Sequence, residues 1–201
     1  MAASEVEDTS VVFHRFLIEA VSITERIQDT ESADLYGAQL KTWGDFIMGL
    51  AMSAASKGDR MAFSDELKQR MQASFMRIKQ ANFYNSRIMM AAYDEHQLAT
   101  LPPPTDEEKA KTKALILAAF ADNHANSSTI KDKQSAEAYC INIASSTRLL
   151  RCAHAAKLVD AEHDSDIQQQ IQLMMQDVKA ISHQLKEHQY YNSVIIKGIF
   201  Q

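Results

Sequence analysis

The chain is poor in the residues that punctuate a fold. Its 201 residues include five glycines, three prolines, two cysteines and one tryptophan. An all-β fold needs many turns, and so few glycines and prolines do not supply them. Two cysteines cannot form the framework of a disulfide-stapled domain. On one straight helix Cys140 and Cys152 would stand about 18 Å apart, beyond disulfide reach. Packed free thiols are therefore expected, and reduced thiols fit a cytoplasmic protein.

A surplus of positive charge is also missing. The net charge is −5 and the two signs are mixed along the chain, which excludes a general nucleic-acid binder. The opening Met1–Asp8 is small and acidic, unlike a secretory leader. No stretch reaches the ~18 consecutive apolar residues of a membrane-spanning helix.

Catalytic vocabulary is equally scarce. There is no glycine-rich phosphate loop and no Gly-x-Ser-x-Gly. Histidine occurs at positions 14, 96, 124, 154, 163, 183 and 188, but never as Glu-x-x-His, the pairing a di-iron bundle requires. Asp160 with His163, and His183 with Glu187, place two possible ligands on one helix face, without the tighter Cys/His set that zinc favours. The expectation is no metal and no cofactor; no motif points to an enzyme, although a site assembled from distant residues stays open.

What is present is helix-forming. Ala, Leu, Met, Gln, Glu and Lys dominate, and 46% of the chain is hydrophobic, enough for a real core. The class is all-α. The chain also repeats itself. Ile27–Tyr36 (IQDTESADLY) is echoed by Ile130–Tyr139 (IKDKQSAEAY), 103 residues on. Asn82–Ser86 (NFYNS) is echoed by Gln189–Ser193 (QYYNS), 107 residues on. All three prolines, Pro102 to Pro104, lie between the copies. This predicts a bundle of about six helices in two halves, residues 1–100 and 106–201, joined by a linker at 101–105. The halves are expected to pack as one domain.

Asp29 and Asp132 occupy the same place in the copies and are expected to cap the second and fifth helices, accepting N–H groups of the opening turn. Thr105 and Glu108 form a capping box for the fourth. That helix should weaken over Asn123–Thr129, where helix-competing side chains gather. The third helix is expected from Ser64 to about Leu98, the fifth to about Val159. The sixth should run from Asp164–Asp166 nearly to Gln201. Along it Ile167, Ile171, Met174, Val178, Ile181, Leu185, His188, Asn192, Ile195 and Ile199 form a heptad seam. At the 103 spacing Cys140 falls on Gly37 and Cys152 on Gly49, which suggests two close-packed positions.

Two sets of residues are candidates for function. The first is polar: Tyr84, Asn85 and Ser86 in one copy, with Tyr191, Asn192 and Ser193 in the other and His188 one turn away. A pseudo-symmetric pocket would use them, although Asn residues on a seam equally serve packing register. The second is apolar: Trp43, Phe46, Ile196 and Phe200, as contacts for a partner or a membrane. A lone tryptophan on an apolar helix is more often core. The copies differ most at Trp43 against Ser146, at the polar Asn123–Thr129, and at the apolar C-terminal end. The functional expectation is a helical interaction protein (adaptor, scaffold, inhibitor or immunity-type module) that binds another protein or itself. The alternative is a membrane-active or lipid-binding bundle of pore-forming type.

Overall fold

The computed structural model describes residues 9–53 and 86–190, together with 65, 69, 72, 76, 78–80, 193, 195, 196 and 199. Among these residues the chain is all-α, with seven helices and no strand. They are α1 (Thr9–Arg26), α2 (Thr30–Ser53), α3 (Arg87–Tyr93), α4 (Glu95–Leu98), α5 (Asp106–Ser127), α6 (Lys133–Ala155) and α7 (Ser165–Glu187). Most of the expected third helix, including its Ser64 start, lies outside the described residues.

The helix starts follow the capping chemistry. Ahead of α2, Asp29 Oδ1 accepts the Ser32 N–H at 2.8 Å, while Ser32 Oγ accepts the backbone N–H groups of Gln28 and Asp29. Ahead of α6 the same three bonds recur on Asp132, Ser135 and Lys131. Hydrogen bonds from these serines hold both aspartates below the usual carboxylate range. The Thr105–Glu108 capping box forms at α5, and Asp164 caps α7. The α5 helix continues to Ser127 rather than weakening at Asn123, because Asn123 is buried and bonded to Ser146. Helix α6 stops at Ala155, short of Val159. Lys157 turns left-handed at φ 59°, and the Leu158 N–H bonds back to the Ala153 carbonyl.

Two long helices expected from the sequence are broken. Ser86 is extended (ψ 141°) and starts α3, and Asp94 (φ −152°) separates α3 from α4. At the other end α7 finishes at Glu187, with Gln189 left-handed at φ 57°. The heptad seam is therefore real only as far as Leu185: Ile167, Ile181 and Leu185 are buried, and Ile171, Met174 and Val178 partly so.

The centre of the molecule is α2 against α6. Helix α1 flanks α2, α5 flanks α6 and α7 lies on α5, while α3 rests on both α2 and α6. Buried residues form three clusters, and two of them draw on both sides of the proline stretch. Ile141 and Ile195 join the α1–α2 cluster of Val12, Leu17, Ile23 and Leu40. Ala38, Ile88 and Ala91 join the α5–α6 cluster of Ile116, Phe120 and Leu149. Ion pairs also cross: Arg15 to Glu137 at 2.8 Å, and Arg148 to Asp45 at 2.7 Å.

Both cysteines are buried free thiols, and burial pushes Cys140 up to about 12. Close packing holds at Gly37, where an added Cβ would lie 1.9 Å from Met89 Sδ. It does not extend to Gly49, which is exposed and where an added Cβ would meet nothing within 4 Å among the described residues.

Candidate functional site

The two sequence echoes meet in space. Ser86 Oγ accepts the Met89 N–H at 3.0 Å as the cap of α3, and donates its own proton to Asp34 Oδ1 on α2. Ser193 Oγ accepts the N–H groups of Ile195 and Ile196 at 3.2 and 3.4 Å and donates to Glu137 Oε1 on α6. Asp34 and Glu137 stand 103 residues apart, and Ser86 and Ser193 stand 107 apart. Around each of the two echoes, then, the acid of the first holds the serine of the second, and that serine's Oγ accepts backbone N–H groups two or three residues on. Periodicity did not identify Asp34 or Glu137, yet their place in the repeated Ser-Ala-acid segment was the signal available.

The two junctions differ in charge. Glu137 is 3% exposed and also takes the Arg15 guanidinium at 2.8 Å. No ion pair among the described residues reaches Asp34. Burial pushes its carboxyl up to about 6 against the Ser86 hydrogen bond, with the charges of Glu31 and Glu108 adding to the rise.

Of the remaining members of the expected polar group, only His188 is among the described residues. Tyr84, Asn85, Tyr191 and Asn192 lie outside the described residues. His188 is exposed at the end of α7 and stacks on Tyr190, with ring centroids 5.4 Å apart. In the apolar group, Trp43 and Phe46 are partly buried against the α1–α2 cluster, Ile196 is fully buried, and Phe200 lies outside the described residues.

A second polar site lies where α2, α5 and α6 converge. A cleft of about 200 Å³ is lined by Gln39, Asn123, Asn126, Asn142, Ser145 and Ser146. Tyr36 and Asp122 add an aromatic ring and one carboxylate, and Leu35, Ala119 and Leu149 supply the apolar wall. Asn123 Nδ2 donates to Ser146 Oγ at 2.8 Å in a buried bond. Ser145 is 8% exposed, and its Oγ has no hydrogen-bond partner among the described residues. The sequence pointed to part of this site, since Ser146 and Asn123–Thr129 depart from the residues 103 positions earlier. Gln39 and Asn142 were missed because nothing local marks them.

Among the described residues no histidine, lysine or cysteine lines the cleft, so its lining offers neither Ser145 nor Ser146 an imidazole or amine to activate it. No group of three His, Cys, Asp or Glu side chains suited to a metal occurs among the described residues. No described helix is long and apolar enough to cross a membrane. No family model, curated protein or solved structure matches the chain.

Proposed function

We propose that the chain consists of two related halves about a pseudo-two-fold axis, and that it acts as a cytoplasmic, non-enzymatic interaction protein through the outer face of α1. The repeated caps and the repeated acid–serine junctions support the relation between the halves. So does the Asp45–Arg148 contact: the two residues stand 103 apart in sequence, and equivalent residues beside a two-fold axis touch each other. The buried reduced thiols suit a reducing compartment.

The observation that carries the functional reading is the exposure of Val11 and Ile18, 61% and 60%. Seven residues is close to two helical turns, so both lie on one face of α1. At the 103 spacing their counterparts on α5 are Ala114 and Ala121, which are also exposed. One half thus presents methyl groups where the other presents large aliphatic side chains, the kind of surface that protein contacts cover. The natural occupant is a second copy or another protein with an apolar helix face. Ile195 and Ile196, from the apolar C-terminal end, are held in the core, which favours a protein partner over a bilayer for the exposed surface.

The test is light scattering on sized samples over a concentration series. The intact chain is expected to associate as concentration rises. The Val11→Ser/Ile18→Ser variant is expected to stay monomeric with unchanged helicity, since exposed substitutions cost only ~0.5 kcal/mol or less. A chain that is monomeric throughout and indistinguishable from the variant would contradict the reading.

A further inference from the structure

We infer that the cleft between α2, α5 and α6 binds a small, uncharged, polyhydroxylated molecule the size of a single sugar ring. This site is separate from the α1 face. Helix junctions in a bundle are normally filled with apolar side chains, because a polar group away from water is costly unless hydrogen-bonded. Here amides and hydroxyls converge from three helices instead. Asn123 engages its amide nitrogen with Ser146, while no bond among the described residues uses its Oδ1. Ser145 Oγ, equally buried, has no partner among the described residues.

The composition of the lining selects the ligand class. No Lys or Arg faces the cleft, so nothing there recognises an anion. Its one acid, Asp122, is exposed at the rim and is too little to cage a cation. Amide groups both donate and accept, as hydroxyls do, and a carboxylate accepts from two neighbouring hydroxyls at once. The Tyr36 ring and the Leu35 and Leu149 side chains suit the C–H face of such a molecule. The volume of about 200 Å³ falls below the roughly 300–1,000 Å³ of sites for drug-sized ligands. It holds about seven waters at ~30 Å³ each, whose bonds the hydroxyls of one ring can replace.

The first half supplies an internal comparison, which rests on the relation between the halves proposed above. At the 103 spacing Asn123, Asn126 and Ser146 correspond to Ala20, Ile23 and Trp43. Ala20 and Ile23 are core residues, and Trp43 packs against the cluster that holds them. The place filled by an apolar cluster in one half is thus opened and made polar in the other.

The test follows the side-chain amide resonances of the ¹⁵N-labelled full chain. The probes are D-glucose, D-galactose and myo-inositol, with inorganic phosphate and methylammonium as charged controls. At least one polyol is expected to shift the amides of Gln39, Asn123, Asn126 and Asn142 saturably at millimolar concentration, with no response to either ion. Ser146→Trp, which refills the cleft as the first half does, is expected to abolish the shifts. Asn126→Ala, at an exposed position, is expected to weaken binding at least fivefold without altering the fold or the oligomeric state. If Ser146→Trp fails to fold, Asn126→Ala alone decides. Three results would each overturn the inference: no polyol moves these resonances, an ion moves them as strongly, or binding is undiminished in the folded variants.

Discussion

Replacing Glu137 by alanine is expected to destabilise the protein by about 3 kcal/mol. Glu137 lies almost wholly out of solvent on α6 and holds two partners from opposite ends of the chain. One oxygen accepts from Arg15 on α1 at 2.8 Å, and the other accepts from Ser193, which caps the segment carrying Ile195 and Ile196. Removing one member of a buried ion pair costs roughly 3–5 kcal/mol, because the other member keeps its desolvation cost. The partial exposure of Arg15 brings this term below that range, to about 2 kcal/mol. Loss of the Ser193 acceptor adds about 1 kcal/mol or more. Glu137→Gln keeps a hydrogen-bonding group for both partners and is expected to lose about half as much. Urea unfolding followed by circular dichroism measures both. In a chain of this length 3 kcal/mol lowers Tm by roughly 6–12 °C. An alanine variant within about 1 kcal/mol of the parent would remove the junction from the account.

Asp34→Asn is expected to act in the opposite direction. Asp34 occupies the equivalent junction, but with Ser86 and no ion pair among the described residues, and burial raises its carboxyl from 3.8 to about 6. A raised acid binds its proton more tightly in the folded state. Its contribution to stability is therefore fully present below about 4 and is lost as pH rises through about 6. The difference of about two pH units corresponds to at most about 3 kcal/mol, reduced by partial exposure of the side chain. Asparagine keeps the carbonyl oxygen that Ser86 needs and never ionises. The variant should match the parent near pH 4 and exceed it by on the order of 2 kcal/mol at pH 8, with the gap opening between the two. Parallel urea titrations across that range check it, and a gap that stays flat with pH would contradict it.

Much of this fold was legible because helix caps and heptads are local. Asp29, Asp132, Thr105 and Asp164 could be named as caps from neighbouring residues alone, and Ile167 to Leu185 from their spacing. The breaks at Ser86 and at His188–Gln189 were not legible, since the apolar spacing continues across them. Ile88 and Ile195 stay in phase with Ile78 and Leu185, and all four are buried. Only a tertiary contact, the acid on the neighbouring helix, marks Ser86 as the start of α3 and ties Ser193 to α6. The cleft was half legible. Ser146 and Asn123 stood out as departures from the repeat, but Gln39 and Asn142 become site residues only when α2 and α6 cross beside α5. The apolar candidates show the same limit: Ile196 resembled a terminal contact residue, and the third cluster buries it with Cys140.

The central claim is that one architectural plan is used twice, with function placed where the copies depart from it. Gly37 and Met89 on one side, and Cys140 and Ile196 on the other, are equivalent pairs at the two spacings, and all four are buried. The first half combines no side chain with a long one, and the second combines two of intermediate size. Gly37→Cys alone drives a side chain into Met89 and is expected to cost about 1–3 kcal/mol, as overpacking does. The most direct measurement is the stability of Gly37→Cys/Met89→Ile against the two single variants. If the halves share one plan, transplanting the second half's pair recovers most of that loss. Strictly additive costs, with the double variant as damaged as the sum of its parts, would contradict it.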